Sequence, residues 1–217
     1  MSAPAADPSA RRPLKSRDVA FFRSLARALA GMGVTPNAIS FASMFFGCGA
    51  GLAFVATAHV HGLPQRICFF GAAAMIQLRL LCNLIDGLVA VECGKKTPTG
   101  DVWNELPDRI SDIGTLVGAG YAAGGAPLFG FAAALLAVLT AYVRALGASL
   151  GAGQDFAGPG AKPHRMAVCT GAALMAAVFP RFAGAWRLVL LAVVFLTGLT
   201  VLRRIKHLTD FLRTRSC

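Results

Sequence analysis

Asn83-Leu84-Ile85-Asp86-Gly87-Leu88-Val89-Ala90 closes an apolar run that begins near Arg66, and Gly100, Asn104, Asp108 and Asp112 follow it. Amide and carboxylate side chains therefore recur at helical spacing inside segments apolar enough to sit in a bilayer. A charge there is costly unless it has a partner or a task. The stretch reads as part of an all-α, polytopic membrane protein with a polar site among its helices.

Composition supports the membrane setting. The 217 residues are 56% hydrophobic and 14% charged, with a mean hydropathy of +0.62, too few charges to cover a soluble globule. The formal net charge of +11 is not a nucleic-acid signature, because the basic residues gather at the ends of apolar segments and not along a solvated face. That pattern fits orientation in a membrane and contact with anionic headgroups.

Working outward, six apolar stretches are long enough for transmembrane helices, at 37–58, 66–91, 105–123, 128–150, 165–179 and 186–208. Pro36, Pro64, Pro98, Pro127, Pro163 and Pro180 fall at their starts or between them, where helix breakers belong. With the N-terminus in the cytoplasm, the inner side holds Arg11, Arg12, Lys15, Arg17, Arg23, Arg27, Lys95, Lys96, Lys162, Arg165 and the basic tail. The outer side holds only Arg66, Arg181 and Arg187. The bias places both termini and the polar site on the cytoplasmic side of what is expected to be a bacterial inner membrane.

Residues 1–15 read as a disordered leader, rich in Pro, Ala and Arg and lacking the apolar core of a signal peptide. Residues 16–32 read as an amphipathic juxtamembrane helix, with Phe22, Leu25, Ala26 and Leu29 on one flank and Arg23 and Arg27 on another. A linker helix explains that pattern equally well. The six-helix domain occupies 33–215.

The second and third spans run antiparallel if the loop at 93–99 joins them. Asn83 and Asp86 then share one helix face, and Asn104, Asp108 and Asp112 share another. Two facing rows of oxygen ligands suit Mg²⁺ or Mn²⁺, hard cations that take one or two carboxylates and complete their shell with water and phosphate oxygens. Gly87 and Gly100 let a phosphate-bearing ligand approach the backbone closely.

These residues carry a resemblance. The chain resembles the CDP-alcohol phosphotransferase family, whose signature is D-x2-D-G-x2-A-R-x8-G-x3-D-x3-D. Here Asp86, Gly87, Ala90, Gly100 and Asp108 match, while Asn83, Val91 and Asn104 replace Asp, Arg and Asp with the spacing intact. The lead helix, the Thr35-Pro36-Asn37 start of the first span and the six spans are similar too. The resemblance implies transfer of a substituted phosphoryl group, in a phosphatidyltransferase the phosphatidyl group, from a CDP-linked lipid donor such as CDP-diacylglycerol to a small alcohol acceptor, with release of CMP. It further implies a divalent metal, Mg²⁺ or Mn²⁺, at Asn83, Asp86, Asn104 and Asp108, with Asp108 as the general base. Asp86, Gly87, Ala90 and Gly100 would bind the donor. The two amides remove two negative charges from the metal site. A non-catalytic family member and a small membrane transporter are the alternative functions.

Other polar residues complete the reading. Arg144, Lys162 and Arg165, beside a Gly/Pro-rich loop, are candidates to bind a phosphorylated or anionic acceptor, against the plainer account of positive charge on the inner side. Arg79, deep in the second span, is expected to pair with a carboxylate across the bundle. His59 and His61 read as surface residues. The six cysteines show no metal-site pairing and read as free thiols. Gly47, Gly49, Gly51, Gly114, Gly118 and Gly120 point to close helix contacts within the bundle or in a homodimer.

Overall fold

The computed structural model describes residues 20–92, 94 and 98–215, and these residues are helical apart from turns and short loops. The expected leader, residues 16–19, Cys93, Lys95, Lys96 and Cys217 lie outside them. The helices are α1 (Ala20–Gly31), α2 (Pro36–Ala56), α3 (Leu63–Glu92), α4 (Gly100–Gly120), α5 (Pro127–Ser149), α6 (Lys162–Val178) and α7 (Trp186–Arg215), with a 3₁₀ turn at Pro180–Ala185. Thr35 starts α2 by accepting the Ala38 N–H on its hydroxyl at 3.2 Å, and Pro36 follows where its missing N–H costs nothing.

Helices α2 to α7 occupy the six stretches read from the sequence, with bounds shifted by a few residues. Among the described residues four segments are long and apolar enough to cross a membrane: α2, α3, α5 and the Pro180–Arg215 segment containing α7. α6 is shorter, at 17 residues, and α4 carries its polar residues through the first three turns. α7 continues past the expected end to Arg215, so Arg213 and Arg215 extend its last turn and are not a separate tail.

α2 packs against α3 and α4, α5 against α4 and α7, and α6 against α3. The α2–α4 contact has almost no space between backbones. A Cβ on Gly51 would lie 2.1 Å from the Gly114 carbonyl oxygen, and one on Gly118 would lie 2.3 Å from the Gly51 Cα. This uses the glycine face inside the chain. The same glycines therefore offer no argument for a dimer.

The end of the bundle remote from the polar site is filled by aromatics. Trp186 is fully buried, donates its Nε1–H to the Ala119 carbonyl at 2.8 Å, and packs on Phe54 and Phe69 with ring centroids 5.0 and 5.5 Å away. Ile76 and Leu116 continue the apolar filling. The apolar face of α1 packs on the bundle. Its buried Ala26 joins Leu84, Ile85, Leu88 and Val89 of α3, with Phe22, Leu25 and Leu29 alongside. Burial against α3 removes that face from water as lipid would, and it braces the turn that carries Asp86.

Candidate active site

The polar site forms where α3, α4 and the start of α6 meet. Asp86, one turn beyond Asn83 on α3, is 4% exposed, and its Oδ2 accepts the Ser40 hydroxyl from α2 at 2.5 Å. Asp108 on α4 accepts the Asn83 Nδ2–H at 2.5 Å, which couples the two rows the sequence placed on facing helices. Lys162 donates from Nζ to both Asp108 oxygens at 2.5 Å. Arg79 and Arg109 each approach the same carboxylate at 3.5 Å. Asp86 lies within electrostatic reach of both Asp108 and Lys162.

Asp112 has a different setting. It is fully buried and bridges two guanidinium groups, Arg79 Nη2 at 2.7 Å and Arg165 Nη2 at 2.9 Å. The cross-bundle partner expected for Arg79 is therefore Asp112, with Asp108 secondary. Arg165 also donates from Nη1 to the Gly160 carbonyl at 2.6 Å and is 2% exposed. A side chain so enclosed is committed to the bundle. The structure thus separates the three expected acceptor residues: Lys162 lies on Asp108, Arg165 is locked beneath it, and Arg144 stands at the rim, pairing with Glu105 and stacking over Phe156 at 5.2 Å.

Asn104, in the first turn of α4, is exposed, whereas Asn83 and Asp108 are half-buried and Asp86 is buried. Asp101, Val102 and Trp103 beside it are exposed as well. Gly87 and Ala90 are half-buried on α3, and Gly100 begins α4. His59 and His61 are exposed, and Cys48, Cys68, Cys82 and Cys169 are free thiols. Among the described residues no three His, Cys, Asp or Glu side chains converge on one metal position. The oxygens present are two carboxylates, Asp86 and Asp108, and the Asn83 amide oxygen. That set fits a single hard cation that draws its remaining ligands from water and substrate phosphates.

The sequence reading missed Ser40 and Arg109. Ser40 had a usable signal, a polar side chain in an apolar span two turns above a glycine-packed contact. Arg109 had none, since every third or fourth residue of α4 is charged or polar.

No family model matches the chain. Among curated proteins, it is 26% identical over 149 residues to inner membrane protein YnbA of Escherichia coli, covering 69% of this chain and 71% of that one. Among solved structures it is similar to phosphatidylinositol phosphate synthase of Mycobacterium tuberculosis. In complex with manganese and citrate, that protein superposes with a TM-score of 0.71 at 17% identity, covering 86% of this chain and 88% of the other. With CDP-DAG bound the TM-score is again 0.71, at 19% identity, covering 86% and 92%. These likenesses establish a shared fold and, with the apolar helices, an integral membrane protein.

Proposed function

We propose that the protein is a CDP-alcohol phosphotransferase that moves a phosphatidyl group from a CDP-linked lipid donor to an acceptor alcohol and releases CMP, in phospholipid synthesis. The observation that carries the proposal is the Asp108 carboxylate of α4 held by Asn83 of α3 and Lys162 of α6, with the buried Asp86 one turn beyond Asn83. The fold, shared over 86% of the chain with a synthase whose structure holds CDP-DAG, supports it. The signature spacing across α3 and α4 supports the same reading.

In this account the donor diphosphate lies over Gly87, Ala90 and Gly100, where small side chains leave the backbone approachable. Asp86, Asn83 and Asp108 hold one Mg²⁺ or Mn²⁺, with Asn104 at the outer end of the same row. When bound, that ion neutralises charge building on the departing CMP phosphate. Asp108 takes the acceptor's hydroxyl proton as the oxygen attacks phosphorus and the bond to CMP breaks. Asn83 and Lys162 fix the orientation of that carboxylate. Lys162, with Arg144 at the rim, also offers a cation to a phosphorylated or anionic acceptor. With Arg144 and Glu105 at the rim, five cations (Arg79, Arg109, Arg144, Lys162 and Arg165) face four carboxylates (Asp86, Glu105, Asp108 and Asp112), a balance suited to polyanionic substrates.

In the membrane, α4 and α6 complete a six-span bundle whose N-terminal helix lies at the cytoplasmic boundary. A transporter would need polar groups continuing toward the opposite end, and Trp186, Phe54 and Phe69 fill that end. The deciding experiment offers the purified protein CDP-diacylglycerol with a panel of acceptor alcohols and measures CMP. Acceptor-dependent CMP release establishes the reaction. No release with any acceptor in the presence of Mg²⁺ or Mn²⁺ refutes it.

A further inference from the structure

A groove of about 670 Å³ opens between the loop before α6 and the middle of α7, lined by Gly158, His164, Leu199, Leu202, Arg203 and Lys206 among others. None of Asp86, Asp108 and Lys162 lines it, so it stands apart from the polar site. Its loop wall is fastened to α7 at several points. Arg204 donates to the Ala157 carbonyl at 3.1 Å, and the Gly160 N–H donates to the Thr200 hydroxyl at 2.7 Å. A Cβ on Gly158 would come within 2.3 Å of the Thr200 side chain, and that residue holds a φ of +133°.

The lining is divided in character. Leu199 and Leu202 point outward from a helix long and apolar enough to cross a membrane, and they are 46% and 66% exposed. Beside them Arg203, Lys206 and His164 are exposed, and no ion pair among the described residues engages any of the three. His164 meets only the Gly158 carbonyl, 3.2 Å from its Nδ1. Cations that form no ion pair among the described residues, directly beside exposed leucines, match a molecule with a negative headgroup and apolar chains.

We propose that this groove binds one acidic diacyl phospholipid, its phosphate against Arg203, Lys206 and His164 and its acyl chains along Leu199 and Leu202. A free phosphate would leave the leucines uncovered, and a zwitterionic lipid would leave the cations without a counter-charge.

The test titrates purified full-length protein in detergent with phosphatidylglycerol or phosphatidylcholine and counts bound lipid by native mass spectrometry. The expected result is one phosphatidylglycerol held at concentrations where phosphatidylcholine is not. The double variant Arg203→Gln/Lys206→Gln should weaken that binding roughly thirtyfold, given the usual contribution of a cation near a lipid headgroup. Both side chains are exposed, so the variant should keep the wild-type melting temperature. Arg181→Gln/Arg187→Gln removes the same charge from exposed positions before and at the start of α7 and should change binding by less than about threefold. Equal binding of the two lipids, an unaffected double variant, or an equal loss in the control pair would overturn the proposal. So would displacement of phosphatidylglycerol by water-soluble glycerol phosphate, which lacks acyl chains, or by CDP-diacylglycerol, which would make the groove part of the donor site.

Discussion

Asp112→Asn should be among the most disruptive single-atom changes in this protein. The Asp112 carboxylate answers Arg79 at 2.7 Å and Arg165 at 2.9 Å, and all three residues are at most 2% exposed. Among the described residues Arg79 Nε and Nη1 and Arg165 Nε have no hydrogen-bond partner, so the charge of both guanidinium groups is answered chiefly through their Nη2 bonds to this carboxylate. Asn keeps the shape but loses the charge, and turns an N–H donor toward one of two donors. Breaking a buried pair this way costs about 3–5 kcal/mol. At roughly 2–4 °C per kcal/mol for a chain of this size, melting should fall by about 10 °C. The assay is a heating series in detergent followed by size-exclusion chromatography. Glu105→Gln, which breaks the half-exposed pair with Arg144, is the comparison and should cost no more than about 1 kcal/mol. Replacing the whole triad at once, with Met at Arg79 and Arg165 and Leu at Asp112, should recover much of the loss. An Asp112→Asn protein that melts within about 2 °C of wild type would refute the idea that this triad holds α3, α4 and α6 together.

Three further expectations concern chemistry. Asp108→Asn cannot accept a proton, so kcat for CMP release should fall by about 10²-fold or more while bound CDP-diacylglycerol, measured by equilibrium binding, is retained. Lys162→Met should raise the KM of an anionic acceptor by roughly tenfold and leave the donor KM nearly unchanged; equal effects on both would assign Lys162 to holding Asp108 alone. Asp86→Ala should abolish turnover at any Mg²⁺ or Mn²⁺ concentration, and Asn83→Asp should lower the metal concentration for half-maximal rate by restoring a charge, as read from a metal titration of CMP release.

The helices and the facing rows were legible because both are local. Apolar runs of about 20 residues and polar side chains at i, i+3 and i+4 report on one helix at a time. Antiparallel placement of α3 and α4 then follows from the short loop between them. The bond from Asn83 to Asp108 bears that placement out. What the sequence could not assign is which polar residue answers which, because the partners come from distant segments. Asp112 meets Arg79 across 33 residues and Arg165 across 53. No spacing rule distinguishes Lys162 from Arg165, one turn apart on the same helix, yet one lies on the partly open Asp108 and the other under it. The exposure of Asn104 is out of reach for a related reason. Periodicity put it in the right row, but only the neighbouring helices decide where that row stops being covered.

That distinction also changes what the two Asn substitutions mean. From the sequence alone, Asn83 and Asn104 look like lost metal ligands. In the structure the two positions separate. Asn104 is exposed, so an amide there removes charge from the margin. Asn83 sits at the centre and uses its amide N–H to hold Asp108, which an aspartate at that position could not do. Two carboxylates at hydrogen-bonding distance would repel unless a proton or a cation lay between them. With Asn83 in place, Asp108 is flanked by a neutral amide and by Lys162, Arg79 and Arg109. The amide is therefore matched to the lysine: each stabilises the same ionised carboxylate, one by a neutral donor and one by charge. Changing Asn83 to Asp without changing Lys162 leaves a cation between two carboxylates, where it competes with any metal for both. The gain in metal affinity expected for Asn83→Asp should accordingly be larger when Lys162→Met is made in the same chain. Additive effects of the two changes on the metal titration would show that the amide and the lysine act independently.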